Sequence, residues 1–154
     1  MLAAIRPDSW NVPVFLHVLG AMLLVGGLAA AFSAQVLAWR RSDSGDTVAL
    51  ARTAFRALLF VVLPAWFLMR VGAEWALSRE SLGSADLTWV DIGYITADGS
   101  GILLLVAIVL AGIGARRLAR DGGGARLAQA ATVLSAIVIV ALLLTVWAMT
   151  AKPT

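Results

Sequence analysis

Four ionisable side chains interrupt or flank long apolar stretches of this sequence: His17, Arg70, Glu74 and Asp98. Removing an ionisable group from water is costly, so each of them is a candidate for function. Counted at about 1.5 Å per helical residue from the arginines at the far end of each stretch, His17, Arg70 and Asp98 fall at the level of Thr145, and Glu74 lies one turn beyond Arg70. These residues predict one polar pocket that binds an ion, a small ligand or a partner subunit. Arg70 would supply a fixed charge there, and His17 would titrate.

Each of these residues also has a structural explanation. Arg70 and Glu74 are spaced i,i+4, so they are expected to form a local ion pair that lowers the cost of burying both. A neutral His17 could hydrogen-bond a neighbouring helix. Asp98, which precedes a glycine, could begin a helix whose positive dipole end favours a carboxylate. These explanations stay open beside the pocket.

Two methionines, Met69 and Met149, fall in the same layer as the one histidine of the chain. His17 with either methionine could ligate haem b axially, or two chains could share one haem. The same nitrogen and thioether donors suit Cu(I). A haem or copper carrier is therefore the alternative to a protein without a cofactor. The chain has no cysteine, which excludes thiolate metal sites and thiol redox pairs.

The composition predicts a membrane protein. Of the 154 residues, 61% are hydrophobic and 14% are charged, whereas soluble domains have about 45–50% and about 25%. The apolar stretches cover residues 12–39, 48–77, 97–115 and 127–149. Each approaches or exceeds the roughly 20 residues that cross about 30 Å of hydrocarbon, where only helices or closed barrels satisfy the backbone. We therefore expect an all-α transmembrane four-helix bundle forming a single domain.

The basic residues near the connecting segments are distributed asymmetrically. One side holds eight of them: Arg40, Arg41, Arg52, Arg56, Arg116, Arg117, Arg120 and Arg126. The other side holds four: Arg6, Arg70, Arg79 and Lys152. By the positive-inside rule, loops 40–47 and 116–126 are cytoplasmic, loop 78–96 is external, and both termini are extracytoplasmic. This topology also explains the net charge of +3, so nucleic-acid binding is not needed.

Short loops and small residues predict how the helices pack. The two cytoplasmic loops are short, which favours two antiparallel hairpins. Small residues recur every four positions in two spans: Gly26, Ala30, Ala34 and Ala38 in the first, and Ala107, Ala111 and Ala115 in the third. Such ladders serve close packing within the chain or, alternatively, a homodimer through the first ladder. Pro64 lies within the second span and is expected to kink it.

Motifs of conventional catalysis are missing from the sequence. It has no nucleophile elbow, no HExxH, no P-loop and no pair of histidines. We therefore expect a protein that is not an enzyme. A small transporter or channel subunit is a third interpretation, because Glu74 and His17 could relay protons, although the other half of the bundle offers few polar side chains.

Four segments carry a resemblance to known proteins: FLHVLGAMLLVGG (residues 15–27), RVGAEW (70–75), WVDIGYITAD (89–98) and VWAMTAKP (146–153). Over most of its length the chain resembles small bacterial four-span proteins described only as predicted integral membrane proteins of unknown function. Its first segment is also similar to the opening helix of copper-resistance protein D-like membrane proteins. The resemblance implies a bacterial plasma-membrane protein, and it carries a metal-binding role to His17 alone.

Overall fold

The computed structural model describes residues 8–41, 45–80 and 88–151, and these parts of the chain are almost entirely helical. A short 3₁₀ turn leads into the first helix, and a π-helical turn joins the second and third helices into one continuous rod. The elements are the 3₁₀ turn Asp8–Trp10, α1 (Asn11–Arg40), α2 (Thr47–Ala57), the π-helical turn Leu58–Val62, α3 (Leu63–Glu80), α4 (Thr88–Asp121) and α5 (Ala125–Ala151). This architecture agrees with the predicted all-α class.

Four helical segments are long and apolar enough to cross a membrane: Asn11–Arg40, Thr47–Arg79, Val90–Arg120 and Ala125–Ala151. In the most apolar 18-residue stretch of each segment, only 22% to 39% of the residues are buried inside the protein. Large side chains such as Met22, Phe60 and Ile95 are 69–73% exposed. An apolar surface of this extent is unsuited to water and suited to lipid. The helices thus support the predicted multi-pass membrane protein.

The helices extend beyond the apolar stretches. Helix α4 begins at Thr88 and ends at Asp121, whereas the apolar stretch covers residues 97–115. Asp98 therefore lies more than two turns inside α4, and the interpretation that it begins a helix is wrong. Polar residues can continue a membrane helix past the hydrocarbon because the helical backbone satisfies itself. Residues 42–44 and 81–87 of the predicted loops, and Arg6 and Lys152 of the charge count, lie outside the described residues.

A π-helical turn, Leu58–Val62, lies directly before Pro64, where the sequence predicts a kink. The N–H of Leu63 donates to the carbonyl of Leu58, five residues back, instead of four. Proline has no N–H and its ring disturbs the preceding turn, so a widened turn directly before Pro64 follows from its chemistry.

Two glycines allow α1 and α3 to touch through their backbones. A Cβ at Gly20 would overlap the backbone of Met69, and a Cβ at Gly72 would overlap the backbone of His17. Farther along, Gly27 meets Val62. Residue numbers rise along α1 as they fall along the rod, so the two run in opposite directions. Glycine is the residue that permits such an approach.

The small-residue ladders behave differently from each other. Ala107, Ala111 and Ala115 are buried, as expected for packing within the chain. In the first ladder Ala38 is buried, but Gly26 and Ala30 are exposed, and a Cβ at Gly26 would meet nothing within 4 Å. Packing within the chain is therefore the wrong interpretation for Gly26 and Ala30. A homodimer through this face stays a prediction.

An apolar layer fills the middle of the bundle. Its most deeply buried large members come from all four spans and are 0–1% exposed: Leu24, Leu28, Leu58, Val62, Leu104 and Val138. Buried apolar side chains of this kind pack closely and exclude water from most of the space between them. The layer thus separates the end of the bundle that contains His17 from the end that contains Gln35.

Candidate functional site

The close approach of α1 and α3 fixes the position of His17. Because Gly72 brings the two backbones together, His17 Nδ1 lies 3.0 Å from the carbonyl oxygen of Met69. A carbonyl oxygen only accepts hydrogen bonds, so Nδ1 carries the proton and donates it. In the neutral ring Nε2 is then an acceptor. No partner for Nε2 occurs among the described residues.

Arg70 lies one residue beyond Met69 and connects α3 to α4. Its Nε donates to Asp98 Oδ1 at 2.9 Å, and its Nη1 donates to Glu74 Oε1. The guanidinium lies over the ring of Tyr94, 4.7 Å from the ring centroid, and the Tyr94 hydroxyl donates to Glu74 Oε2 at 3.1 Å. The i,i+4 ion pair expected from the sequence is present, and Asp98 adds a second one. We call these four residues the Arg70 network.

The charges of the Arg70 network limit what it can bind. One guanidinium faces two carboxylates, so the network carries a formal charge of −1 when all three groups are ionised. The Arg70 side chain is 20% exposed, whereas those of Glu74 and Asp98 are 51% and 56% exposed. Arg70 is therefore not a free cation for an anionic ligand. The network fastens α3 to α4 and places an aromatic ring beside a cation.

A hydrogen bond from Trp66 to α4 helps to place Asp98 beside Arg70. Trp66 Nε1 donates to the carbonyl of Ala97 at 3.0 Å, next to Asp98. Gly101 leaves room for this, because a Cβ there would overlap the indole ring of Trp66. The half-buried indole N–H thereby finds a partner, and Asp98 lies within reach of Arg70.

A cavity of about 280 Å³ opens beside these groups and is walled by all four spans. We call it the His17 cavity. Its polar lining comes from His17, Arg70, Tyr94 and Thr145. Much of the remaining wall is apolar and includes Val14, Ala21, Leu24, Val25, Leu142 and Val146. Such a wall with a few polar groups is typical of a small-molecule site.

The structure distributes the four sequence-predicted site residues between two roles. His17 and Arg70 line the cavity. Glu74 and Asp98 do not line it, but both bind Arg70. Thr145 also lines the cavity, and its hydroxyl donates to Thr96 at 2.6 Å, which joins α5 to α4.

The sequence reasoning missed Tyr94 as a site residue and Gly20 and Gly72 as positioning residues. It placed Tyr94 in a loop because polar residues surround it. Its spacing of four from Asp98 becomes informative once α4 is known to begin at Thr88. Gly20 lies three residues after His17, and Gly72 lies two residues after Arg70. This proximity to the candidate site residues was the signal that could have identified both glycines.

Met69 and Met149 line the same cavity as His17. A histidine that donates Nδ1–H to a carbonyl and leaves Nε2 as an acceptor has the arrangement found around metal-ligating histidines. Among the described residues no group of three or more histidine, aspartate, glutamate or cysteine side chains could hold a metal ion. The haem and copper alternatives stay predictions that depend on thioether ligands or, for haem, on a second copy of the chain.

Comparison with known proteins gives no relative. No family model, no curated protein and no solved structure matches this chain. The two resemblances stated from the sequence therefore stay predictions.

Proposed function

We propose that this chain is a non-enzymatic protein of the bacterial plasma membrane whose His17 cavity binds a small, mainly apolar and uncharged ligand. Both termini would be extracytoplasmic, so the cavity would open towards the outer leaflet. The observation that carries the proposal is the hydrogen bond from His17 Nδ1 to the Met69 carbonyl, because it leaves Nε2 as an acceptor on a residue that lines a mainly apolar cavity.

The lining of the cavity supports this class of ligand. Apolar walls favour an apolar body, and an acceptor without a partner favours a ligand with a hydroxyl or N–H donor. The Arg70 charge is already balanced by Glu74 and Asp98, which disfavours an anion. The Arg70 network would then keep α3 and α4 in place around the ligand rather than bind its charge.

The one histidine of the chain allows a direct test. Protein labelled with ¹⁵N only at histidine, in lipid nanodiscs, gives the two ring nitrogens of His17 and nothing else. We expect the Nδ1–H tautomer without ligand, and a shift of the Nε2 signal when 1-naphthol is added. 1-Methylnaphthalene, which partitions into lipid but has no donor, should leave Nε2 unchanged.

Variants distinguish 1-naphthol that is bound in the cavity from 1-naphthol that is dissolved in the bilayer. His17→Phe keeps an aromatic ring but removes the acceptor, so saturation-transfer signals of 1-naphthol above those of empty nanodiscs should disappear. Ser33→Ala, at an exposed position on the same helix, should retain them. A wild-type His17 spectrum that does not respond to 1-naphthol, or responds equally to 1-methylnaphthalene, would exclude the proposed site.

A copper(I) carrier is the second candidate, favoured by the presence of His17, Met69 and Met149 on one cavity. Thioether and imidazole donors suit Cu(I). A copper(I) carrier would bind the ion near-stoichiometrically, with a shift of Nε2, and Met149→Leu would weaken that binding. Haem b would instead give a Soret band that is lost in His17→Ala. A colourless protein without bound copper would exclude both carriers and leave the ligand-binding proposal standing.

A further inference from the structure

A second cavity of about 210 Å³ lies at the opposite end of the bundle, between α1, α2, α4 and α5. We call it the Gln35 cavity. Its polar lining comes from Gln35, Thr47, Gln129 and Thr132. The other lining residues include Ala38, Ala51, Ala54, Ala111, Leu118 and Trp39, and no ionisable side chain is among the described residues that line it.

Gln35 is the unusual member of this lining. It is 6% exposed, and neither its amide nitrogen nor its amide oxygen has a hydrogen-bond partner among the described residues. Buried polar groups in folded proteins are almost always paired, and an unpaired amide is costly. In contrast, the hydroxyl of Thr132 donates to the backbone carbonyl of Ala128 at 2.9 Å, and the hydroxyl of Thr47 donates to the backbone carbonyl of Arg41. Both amide atoms are almost inaccessible, so a partner from outside the chain would remove this cost once the Gln35 side chain turns to meet it.

The chemistry of the amide defines that partner. A glutamine side chain presents an acceptor and a donor side by side, so its complement presents a donor and an acceptor side by side. The absence of ionisable groups in the described lining disfavours a charged molecule, because nothing there would balance its charge. The alanines and Leu118 provide room and apolar contact for the rest of the molecule.

We propose that the Gln35 cavity binds a small uncharged molecule with an amide-like edge, such as a primary amide, a lactam or a urea, on an apolar body. The site is independent of the His17 cavity, because the apolar layer around Leu28 and Leu58 lies between them. It would be reached from the opposite end of the bundle. The proposal therefore does not rest on the function proposed for His17.

Benzamide is a suitable probe, and both glutamines of the chain line the cavity. Protein labelled with ¹⁵N at glutamine side chains, in nanodiscs, gives two NH₂ groups that Gln35→Met would assign. We expect benzamide to shift the Gln35 group in a saturable way. Benzoate, which is charged, and toluene, which has no amide, should leave it unchanged.

Affinity measurements then test the role of the amide. Gln35→Met is nearly isosteric and should weaken benzamide binding about tenfold or more, because the ligand amide would lose its partner. Ser33→Ala should bind benzamide as the wild type does. The shifts of the wild-type glutamine signals decide the question even if Gln35→Met does not fold.

Two outcomes would overturn the proposal. One is a Gln35 group that shows magnetisation transfer from water but no response to benzamide, which would make the cavity a structural water site. The other is unchanged benzamide affinity in folded Gln35→Met. If wild-type protein binds benzamide but its His17 Nε2 signal does not respond to 1-naphthol, only the function proposed for the His17 cavity is excluded.

Discussion

The two ends of the bundle treat their polar groups in opposite ways. At the His17 cavity, the polar side chains bind one another or a backbone carbonyl, and His17 Nε2 has no partner among the described residues. At the Gln35 cavity, a deeply buried amide has no partner in the described chain. A satisfied network stabilises the fold without any ligand, whereas an unsatisfied amide costs free energy until a partner arrives. The His17 end should therefore contribute to stability without a ligand, whereas the Gln35 end should lower stability until its ligand binds.

The largest effect is expected where the backbones touch. Gly20→Ala places a Cβ against the backbone of Met69 and should lower the free energy of unfolding by about 1–3 kcal/mol, as overpacking does. Reversible unfolding in mixed detergent measures this. Gly26→Ala is the matched control, because its Cβ meets nothing within 4 Å. If Gly20→Ala and Gly26→Ala lower the free energy of unfolding equally, the close approach is contradicted. If Gly20→Ala disturbs the NMR signals of Gln35 as much as those of His17, the two ends of the bundle do not differ in this respect.

Removal of the arginine should have the next largest effect. Arg70→Leu leaves Glu74 and Asp98 without their cation and removes the contact with Tyr94. Because both carboxylates are half exposed, we expect a loss of about 1–2 kcal/mol, measured in the same unfolding assay. Arg79→Leu, an exposed arginine at the end of α3, should change stability by much less. If Arg70→Leu leaves the free energy of unfolding unchanged, the network does not stabilise the packing of α3 against α4.

The sign should reverse at the other end. Gln35→Met replaces an unpartnered amide with an apolar chain of similar shape, so the ligand-free protein should gain about 1 kcal/mol. The same unfolding assay, in the absence of any amide, measures it. A clear loss of stability would show that Gln35 already has a partner in the ligand-free protein.

The smallest effect concerns a single hydroxyl group. Tyr94→Phe removes the 3.1 Å hydrogen bond to Glu74 but keeps the ring beside Arg70, so about 0.5 kcal/mol should be lost. Tyr94→Leu, which also removes the ring, should cost more. If the two variants are equal, the ring contributes nothing and the network reduces to its ion pairs.

Depth along the bundle can be predicted from this sequence, but rotation cannot. Counting residues from the arginines places His17, Arg70 and Thr145 in one layer, because a helix rises by a fixed amount per residue. The i,i+4 spacing predicts that Glu74 turns to Arg70, but nothing in the sequence tells that Asp98 does so instead of facing the cavity. With apolar residues on nearly every face, α1 gives no sign that Gly20 packs while Gly26 faces outwards.

The same limit explains the amide at the other end. Ser33 and Gln35 are two residues apart in α1, and from the sequence alone they are equivalent polar interruptions. In the structure Ser33 is exposed and bonds to Ala29, whereas Gln35 turns inwards. Residues two apart in a helix point in very different directions, so only the rotation of α1 decides which of them is buried.

The π-helical turn Leu58–Val62 separates the walls of the two cavities along one rod. Ala51 and Ala54 before it line the Gln35 cavity, and Met69 and Arg70 after it line the His17 cavity. A π-helical turn holds one more residue than an α-helical turn, because its hydrogen bonds span five residues instead of four. Loss of one residue within this turn could therefore be absorbed by an ordinary α-helical turn, with α3 keeping the same face towards the His17 cavity. Loss of one residue from the α-helical part of the rod between the two walls would instead rotate one wall relative to the other by about 100°.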